Sequence, residues 1–297
     1  MIKRTIEISQ EAAYLSIKHD QLQIRRDDQV VGSIPCEDIG VVLVDHPQAS
    51  YSHTALTRLA ESDAALIVCG RNHLPVAVLL PLAHHSEGVW RVRDQLAASK
   101  PTRKRLWKQL VQAKIHASAK NLPPTLPARA KLMALAQQVR SGDPANVEAR
   151  AARVYWSNWL PEEFIFQRDV DADGINAFLN YGYAVLRAAI ARALVAAGLL
   201  PAIGLKHSNR SNSFVLADDL IEPLRSLVDH RVRELYCQGH VELQKESKAR
   251  LLKLLADDVK IGTETGPLMV CIHRYVASLV KCYRSDIPRL LIPERLE

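Results

Sequence analysis

Residues 175–200 read INAFLNYGYAVLRAAIARALVAAGLL, a run whose apolar positions recur at helical spacing over a length no ordinary strand reaches. From Tyr183 to Leu200 it is the longest apolar stretch in the chain, yet Arg187 and Arg192 stand inside it. A bilayer would take both guanidiniums into hydrocarbon, at a cost of about 3 kcal/mol each. The run is therefore read as a buried helix of a soluble protein, with no membrane span. Gly182 within it costs roughly 1 kcal/mol against alanine and points to a close approach by another backbone. Asn176, Asn180, Tyr183 and Arg187 make a polar stripe along the helix, facing either a functional site or water.

Around this run, helical spacing begins after His84 and continues nearly to the end, broken at Pro101, at Asn121 to Pro127, at Ser141 to Pro144 and at Pro201 to Ser213. Upstream, Thr5 to Leu82 alternates with a period of two in short runs: Tyr14 to Lys18, Gln21 to Arg26, Gln29 to Ile34, Ile39 to Val44, Ala65 to Cys69 and Pro75 to Leu80. His19-Asp20 and Asp27-Asp28 fall where tight turns join strands, and Ser52 to Ser62 has helical spacing. The expectation is an α+β fold: a small N-terminal β-rich domain, residues 1–84, followed by a larger all-α domain, residues 85–297. Ser86 to Ser99 links them.

The 297 residues carry 39 Lys and Arg against 32 acidic residues, a formal charge of +7 that favours a polyanionic partner such as nucleic acid. Lys100, Arg103, Lys104, Arg105, Lys108 and Lys114 form a basic helical face suited to phosphates, and Arg210, Arg225, Arg231 and Arg233 lie close in sequence to the candidate site below. Four Trp, eight Tyr and four Phe are too few for base stacking to dominate DNA binding, so phosphate contacts should. The opening MIKRTIEISQ lacks the apolar core of a signal peptide, and the five cysteines show no paired short spacing. Reduced thiols and a cytoplasmic location are expected, and structural zinc is disfavoured.

Three segments carry candidate chemistry. In GDPANVEARAARVY, residues 142–155, Asp143 can cap a helix whose first position suits Pro144, so that Glu148 projects from the second turn. In GLKHSNRSNSF, residues 204–214, His207 sits in a polar loop. In LADDLIEPLR, residues 216–225, Asp219 and Glu222 are three apart, a spacing that places two carboxylates on one helical face. Each taken alone is an ordinary capping acid or solvated histidine. Together they offer carboxylate oxygens and an imidazole, a set suited to Mg²⁺ or Mn²⁺ and to phosphodiester chemistry. Asp169, Asp171, Asp173 and Gly174 imitate the start of a calcium loop, but Asn180 stands where its closing glutamate belongs, so calcium is rejected.

GDPANVEARAARVYW, DADGINAFLNYGYAVLRAAI, PAIGLKHSNRSNSF and LADDLIEPLR, in this order, resemble the universal CRISPR adaptation integrase, and the last looks most like the type II version. The resemblance runs over the whole chain. It implies Glu148, His207 and Glu222 as metal ligands and catalytic groups, with Asp219 at a further acidic position. It also implies insertion of new spacer fragments into a CRISPR array by a DNA 3′-hydroxyl, with associated endonuclease activity. A homodimer formed through the N-terminal domains, a small second adaptation subunit and type II effector proteins are the implied protein partners. Lys206 and Ser208 beside the histidine, and Ser226 after Arg225, depart from the common pattern without removing a ligand. Two other readings remain open at this point: a structure-selective repair nuclease using the same ion, and a non-catalytic DNA-binding scaffold whose acids only cap helices.

Overall fold

The computed structural model describes residues 3–71, 75–81, 86–161, 164, 166–169, 172–285 and 289–296. β1 (Arg4–Ile8) leads into β2 (Tyr14–Lys18), β3 (Gln21–Arg26) and β4 (Gln29–Pro35). Then follow β5 (Ile39–Val44), the two-residue β6 (Ser50–Tyr51), α1 (His53–Glu61), β7 (Ala65–Cys69) and β8 (Pro75–Leu79). His19, Asp20, Asp27 and Asp28 all have positive φ, the paired left-handed geometry of two-residue hairpin turns. Ser52 caps α1, its Oγ accepting from the Ala55 amide at 3.1 Å.

The strands form two sheets, ordered β1-β5-β7-β8 and β4-β3-β2-β6. β5 pairs in parallel with both β1 and β7, and every residue of its IGVVLV is buried. Such a strand must be covered on both faces. Val42 and Val44 pack with Leu15, Leu22 and Leu59 of the meander and α1, whereas Val41 and Leu43 belong to the same core as the helices that follow. The division expected at residue 84 lies outside the described residues, and the apolar core is continuous across it.

The helical part contains α2 (Gly88–Ala97), α3 (Lys100–Lys120), α4 (Pro127–Gln138), α5 (Val147–Trp156), α6 (Ile175–Ala196), α7 (Val215–Ile221), α8 (Arg225–Cys237), α9 (Lys245–Lys253) and α10 (Leu268–Tyr283). It also holds what periodicity did not show, a three-stranded antiparallel sheet of β9 (Asp258–Ile261), β10 (Glu264–Pro267) and β11 (Glu294–Arg295). Strands of four and two residues are too short for alternation to register.

α6 is buried along most of its length. A Cβ on Gly182 would stand 2.5 Å from Val228 Cγ1, so glycine lets α6 and α8 pack this closely. Arg192, buried in the same helix, donates to the carbonyl and, at 2.6 Å, to the carboxylate of Asp63, fastening α6 to the sheet part. Among the described residues no helix is long and apolar enough to cross a membrane. All five cysteines are free thiols.

Candidate functional site

Glu148 is placed by a cap. Asp143, itself at φ 48°, accepts from the amides of Val147 at 2.9 Å and Glu148 at 3.0 Å. The carboxylate does cap the helix, but α5 starts at Val147 rather than at Pro144, so Glu148 stands in its first turn instead of the second. Arg150 and Arg153 are exposed while Val147, Ala151 and Tyr155 are buried.

Asp219 and Glu222, three apart, take different partners. Proline at 223 offers no amide, and its ring crowds the preceding turn. The chain accordingly passes from α7 into a 3-10 turn, Glu222–Leu224, before α8 begins at Arg225. Asp219 is fully buried and gathers the His207 loop: its carboxylate accepts from the amides of Leu205 (2.6 Å) and Lys206 (3.0 Å) and lies 2.6 Å from His207 Nδ1. The His207 ring meets the edge of Trp107 on α3, centroids 5.2 Å apart. Glu222 points elsewhere, with Oε1 accepting from Arg225 Nε at 3.1 Å.

The group that joins the two glutamates is Lys114. Its Nζ is 2.6 Å from Glu148 Oε1 and 2.6 Å from Glu222 Oε2, so the two carboxylate oxygens lie within about twice that distance of each other. Sequence reading counted Lys114 with a phosphate-binding face, but α3 turns it inward. Trp107 lies two turns before it and Ser118 one turn after, on the side of α3 that faces the site. No motif signalled this; the clue available was Lys114 standing among Leu110, Val111 and Ile115, which are buried.

Behind the glutamates lies a cavity of about 200 Å³ lined by Lys114, Glu148, Tyr155, Arg168, Tyr183, Glu222, Arg225 and Asp229 among others. Asp229 was not foreseen. It is wholly buried and accepts hydrogen bonds from the hydroxyls of Tyr155, at 3.0 Å, and of Tyr183. The Arg225 guanidinium lies 4.6 Å over the Tyr183 ring. Asp229 therefore holds Tyr183, Tyr183 supports Arg225, and Arg225 steadies Glu222. Three of the four polar-stripe residues of α6 are turned toward this assembly, while Arg187 lies on another side. Asn176 and Asn180 accept from Arg168 at 2.8 and 2.5 Å, Tyr183 lines the cavity, and Arg187 binds Asp218 and Asn212 beside the His207 loop.

The charges of these groups depend on one another. Burial alone drives the Glu222 carboxyl up, but Arg225 and Lys114 outweigh it and hold it below the usual carboxylate range. Burial likewise opposes the charge on Lys114, and Glu222 and Glu148 overcome it, raising the ammonium's pKa. The hydrogen bond to Asp219 raises His207 against desolvation, with Asp219, Glu148 and Glu222 adding their charge. His207 does not line the cavity, yet it is near enough to feel both glutamates.

Among the described residues, no three His, Cys, Asp or Glu groups stand gathered as a finished metal cage. The donor set nonetheless fits a hard divalent ion. Glu148 and Glu222 each set an oxygen 2.6 Å from the Lys114 ammonium, and Arg225 pairs with Glu222 from another side. Carboxylate oxygens gathered around one cation are the donors that a hard divalent ion takes. Of the calcium-like run, Asp171 lies outside the described residues, and Asn180, with Asn176, accepts from Arg168.

Of the expected phosphate contacts, Lys104, Arg105 and Arg210 are exposed and Lys108 half-buried. Arg225 is instead a cavity wall bound to Glu222. Arg231 and Arg233 donate to the carbonyls of Arg250 and Asn121, and Arg103 to those of Gln95 and Leu96, so these three tie helices together.

A family model described as CRISPR associated protein Cas1 matches residues 6–258. The chain belongs to the Cas1 family. It is 38% identical over 274 residues to the CRISPR-associated endonuclease Cas1 of Neisseria meningitidis serogroup C, covering 91% of this chain and 88% of that one. It is 29% identical over 300 residues to a CRISPR-associated endonuclease Cas1 of Saccharolobus solfataricus, covering 95% of each. In fold, this Cas1-family chain is similar to a Cas1 protein from Thermotoga maritima (TM-score 0.79, 15% identity, 95% and 98% of the two chains). It is equally similar to a casposase bound to its integration product (TM-score 0.78, 20% identity, 97% and 92%).

Proposed function

We propose that this chain is a divalent-metal-dependent DNA integrase that inserts spacer fragments into a CRISPR array, a DNA 3′-hydroxyl displacing one side of a repeat phosphodiester, with an associated endonuclease activity. The observation that carries this reading is the meeting of Glu148 and Glu222 on one cation at 2.6 Å each, in a chain of the Cas1 family. Glu148 and Glu222 would hold Mg²⁺ or Mn²⁺, with His207 as nitrogen ligand. The ion supplies a lowered pKa for the attacking hydroxyl and positive charge against the crowded phosphate of the transition state. Asp219, bound to His207 Nδ1, leaves Nε2 as the ring atom available to a ligand bond. Tyr183 and Arg225 keep Glu222 in place. No side chain need act as nucleophile, since the attacking oxygen belongs to DNA.

Arg210, Lys104, Arg105 and Lys108 are the residues proposed to follow DNA phosphates. Residues 1–84 form the proposed dimerisation unit and residues 85–297 the catalytic one. A small second adaptation subunit joins two such dimers, and type II effector proteins assist capture. The likeness in fold to a chain of a Cas6-RT-Cas1–Cas2 complex, at TM-score 0.80 over 99% of this chain and 36% of that one, supports the second-subunit assignment.

The test is joining of a labelled duplex with free 3′ ends into a supercoiled repeat plasmid, with Mn²⁺ or Mg²⁺ and the second subunit present. Branched or inserted DNA of higher molecular weight is expected from the wild type. Glu148→Gln, His207→Ala and Glu222→Gln should each lower its yield by roughly 100-fold or more. Cleavage without joining on every substrate would favour a nuclease. Undiminished joining by all three variants would reject the site, and salt-sensitive DNA binding with no metal requirement would leave only a scaffold.

A further inference from the structure

We propose that Lys114 is a built-in cation of the active site, which holds Glu148 and Glu222 together until a divalent ion displaces its ammonium, and which thereby ties metal uptake to DNA binding. The proposal rests on the metal-site reading above and assigns a positioning role to a residue outside the ligand set.

Two largely buried carboxylates this close together repel unless a cation lies between them. The structure places the Lys114 ammonium at that point, 2.6 Å from an oxygen of each. Arg225 already pairs with Glu222, so two carboxylates face two cations and the local charge balances. A divalent ion added to that set leaves an uncompensated double positive charge in a poorly solvated place. Two changes remove the excess: Lys114 withdraws from between the carboxylates, and an anion arrives. Phosphate from DNA is the anion such a site would meet, and a withdrawn lysine is a suitable partner for it.

The side chain can make this move without moving its helix. α3 is anchored by buried Trp107, Leu110, Val111 and Ile115, while the lysine reaches the site on a flexible stem of four methylenes. The cavity of about 200 Å³ beside it, bounded by Ser118, Tyr155 and Trp156, gives the ammonium room to leave. An ordinary structural lysine pair would also bridge acids, but its removal would weaken the metal site or leave it unaffected. A resident competitor predicts the opposite sign.

Two measurements decide this. Calorimetric titration of Mn²⁺ into the wild type, Lys114→Met and Lys114→Arg is carried out alone and with a duplex ending in 3′-dideoxynucleotides, which cannot react. Lys114→Met should bind Mn²⁺ about 10-fold more tightly than the wild type without DNA, and Lys114→Arg no more tightly. DNA should tighten the wild type by a larger factor than it tightens Lys114→Met. Equal or weaker affinity for folded Lys114→Met overturns the proposal while leaving the metal site standing. Absence of Mn²⁺ uptake by all three proteins with DNA present removes the metal site and this role with it. The second measurement needs no variant: in the wild type with the dideoxy duplex, saturating Mn²⁺ should change acetylation of Lys114 by an amine-reactive reagent, read by peptide mass spectrometry. If labelling of Lys114 is the same with and without bound Mn²⁺, the ammonium has not moved and the proposal fails.

Discussion

Asp229 carries a cost that shows as pH dependence. Burial pushes its carboxyl from 3.8 up to about 6, with the hydroxyls of Tyr183 and Tyr155 and the charge of Arg225 pulling the other way. A carboxyl raised in the folded state contributes its full stability below the unfolded value near 3.8 and loses it as pH rises through about 6. Asp229→Asn keeps a group for the tyrosines and cannot ionise. Urea denaturation at pH 4, 5 and 6.5 should show the wild type losing on the order of 2–3 kcal/mol relative to this variant over that range. Parallel profiles for the two proteins would contradict the assignment. At this scale sequence spacing does not carry the neighbours of these acids. Asp219 and Glu222 share a face by spacing, yet one meets His207 and the other Lys114, because different segments pack against each.

α6 was legible as an element because twenty-two residues of helical spacing give a strong signal, and Gly182 rightly marked a close approach. The partner in that approach, Val228 on α8, was not legible, since sequence carries no record of which helix lies opposite. Gly182→Val should force branched methyls against Val228, whose own branching leaves it little freedom to yield. A loss of roughly 2–3 kcal/mol is expected in chemical denaturation. Restoration to near wild-type stability in the double variant with Val228→Ala would locate the clash; no loss in the single variant would show that the helices can separate freely. α3 teaches the converse lesson. Its basic residues read as a single phosphate-binding face, yet a helix has sides, and α5 and the 3-10 turn lie against the side bearing Lys114.

Over the whole molecule, a formal charge of +7 and an exposed basic group on α3 favour binding driven by phosphate contacts. Replacing Lys104, Arg105 and Lys108 together by alanine should weaken duplex binding uniformly across sequences. The slope of log affinity against log salt should become shallower by about two to three. Mn²⁺ affinity without DNA should not change, because these side chains lie outside the carboxylate pair. An unaltered salt slope in fluorescence anisotropy titrations would place the DNA path on another surface. The charge itself was plain from composition, whereas its distribution was not: Arg225, Arg231 and Arg233 turn out to hold other parts of the protein together.

The class of architecture, most strand positions, the long central helix and the grouping of Glu148, His207, Asp219 and Glu222 as candidate site residues are all carried in the order of residues. These follow from local rules of periodicity, turn chemistry and donor type, which act within a few residues. Packing between distant segments settles the parallel pairing of β5, the small sheet near the C-terminus, the place of Lys114 between two acids and the support of Glu222 by Asp229 through Tyr183. Each depends on segments far apart in the chain packing at one place, and the energy of such a meeting is written in the shapes of both surfaces rather than in either stretch of residues.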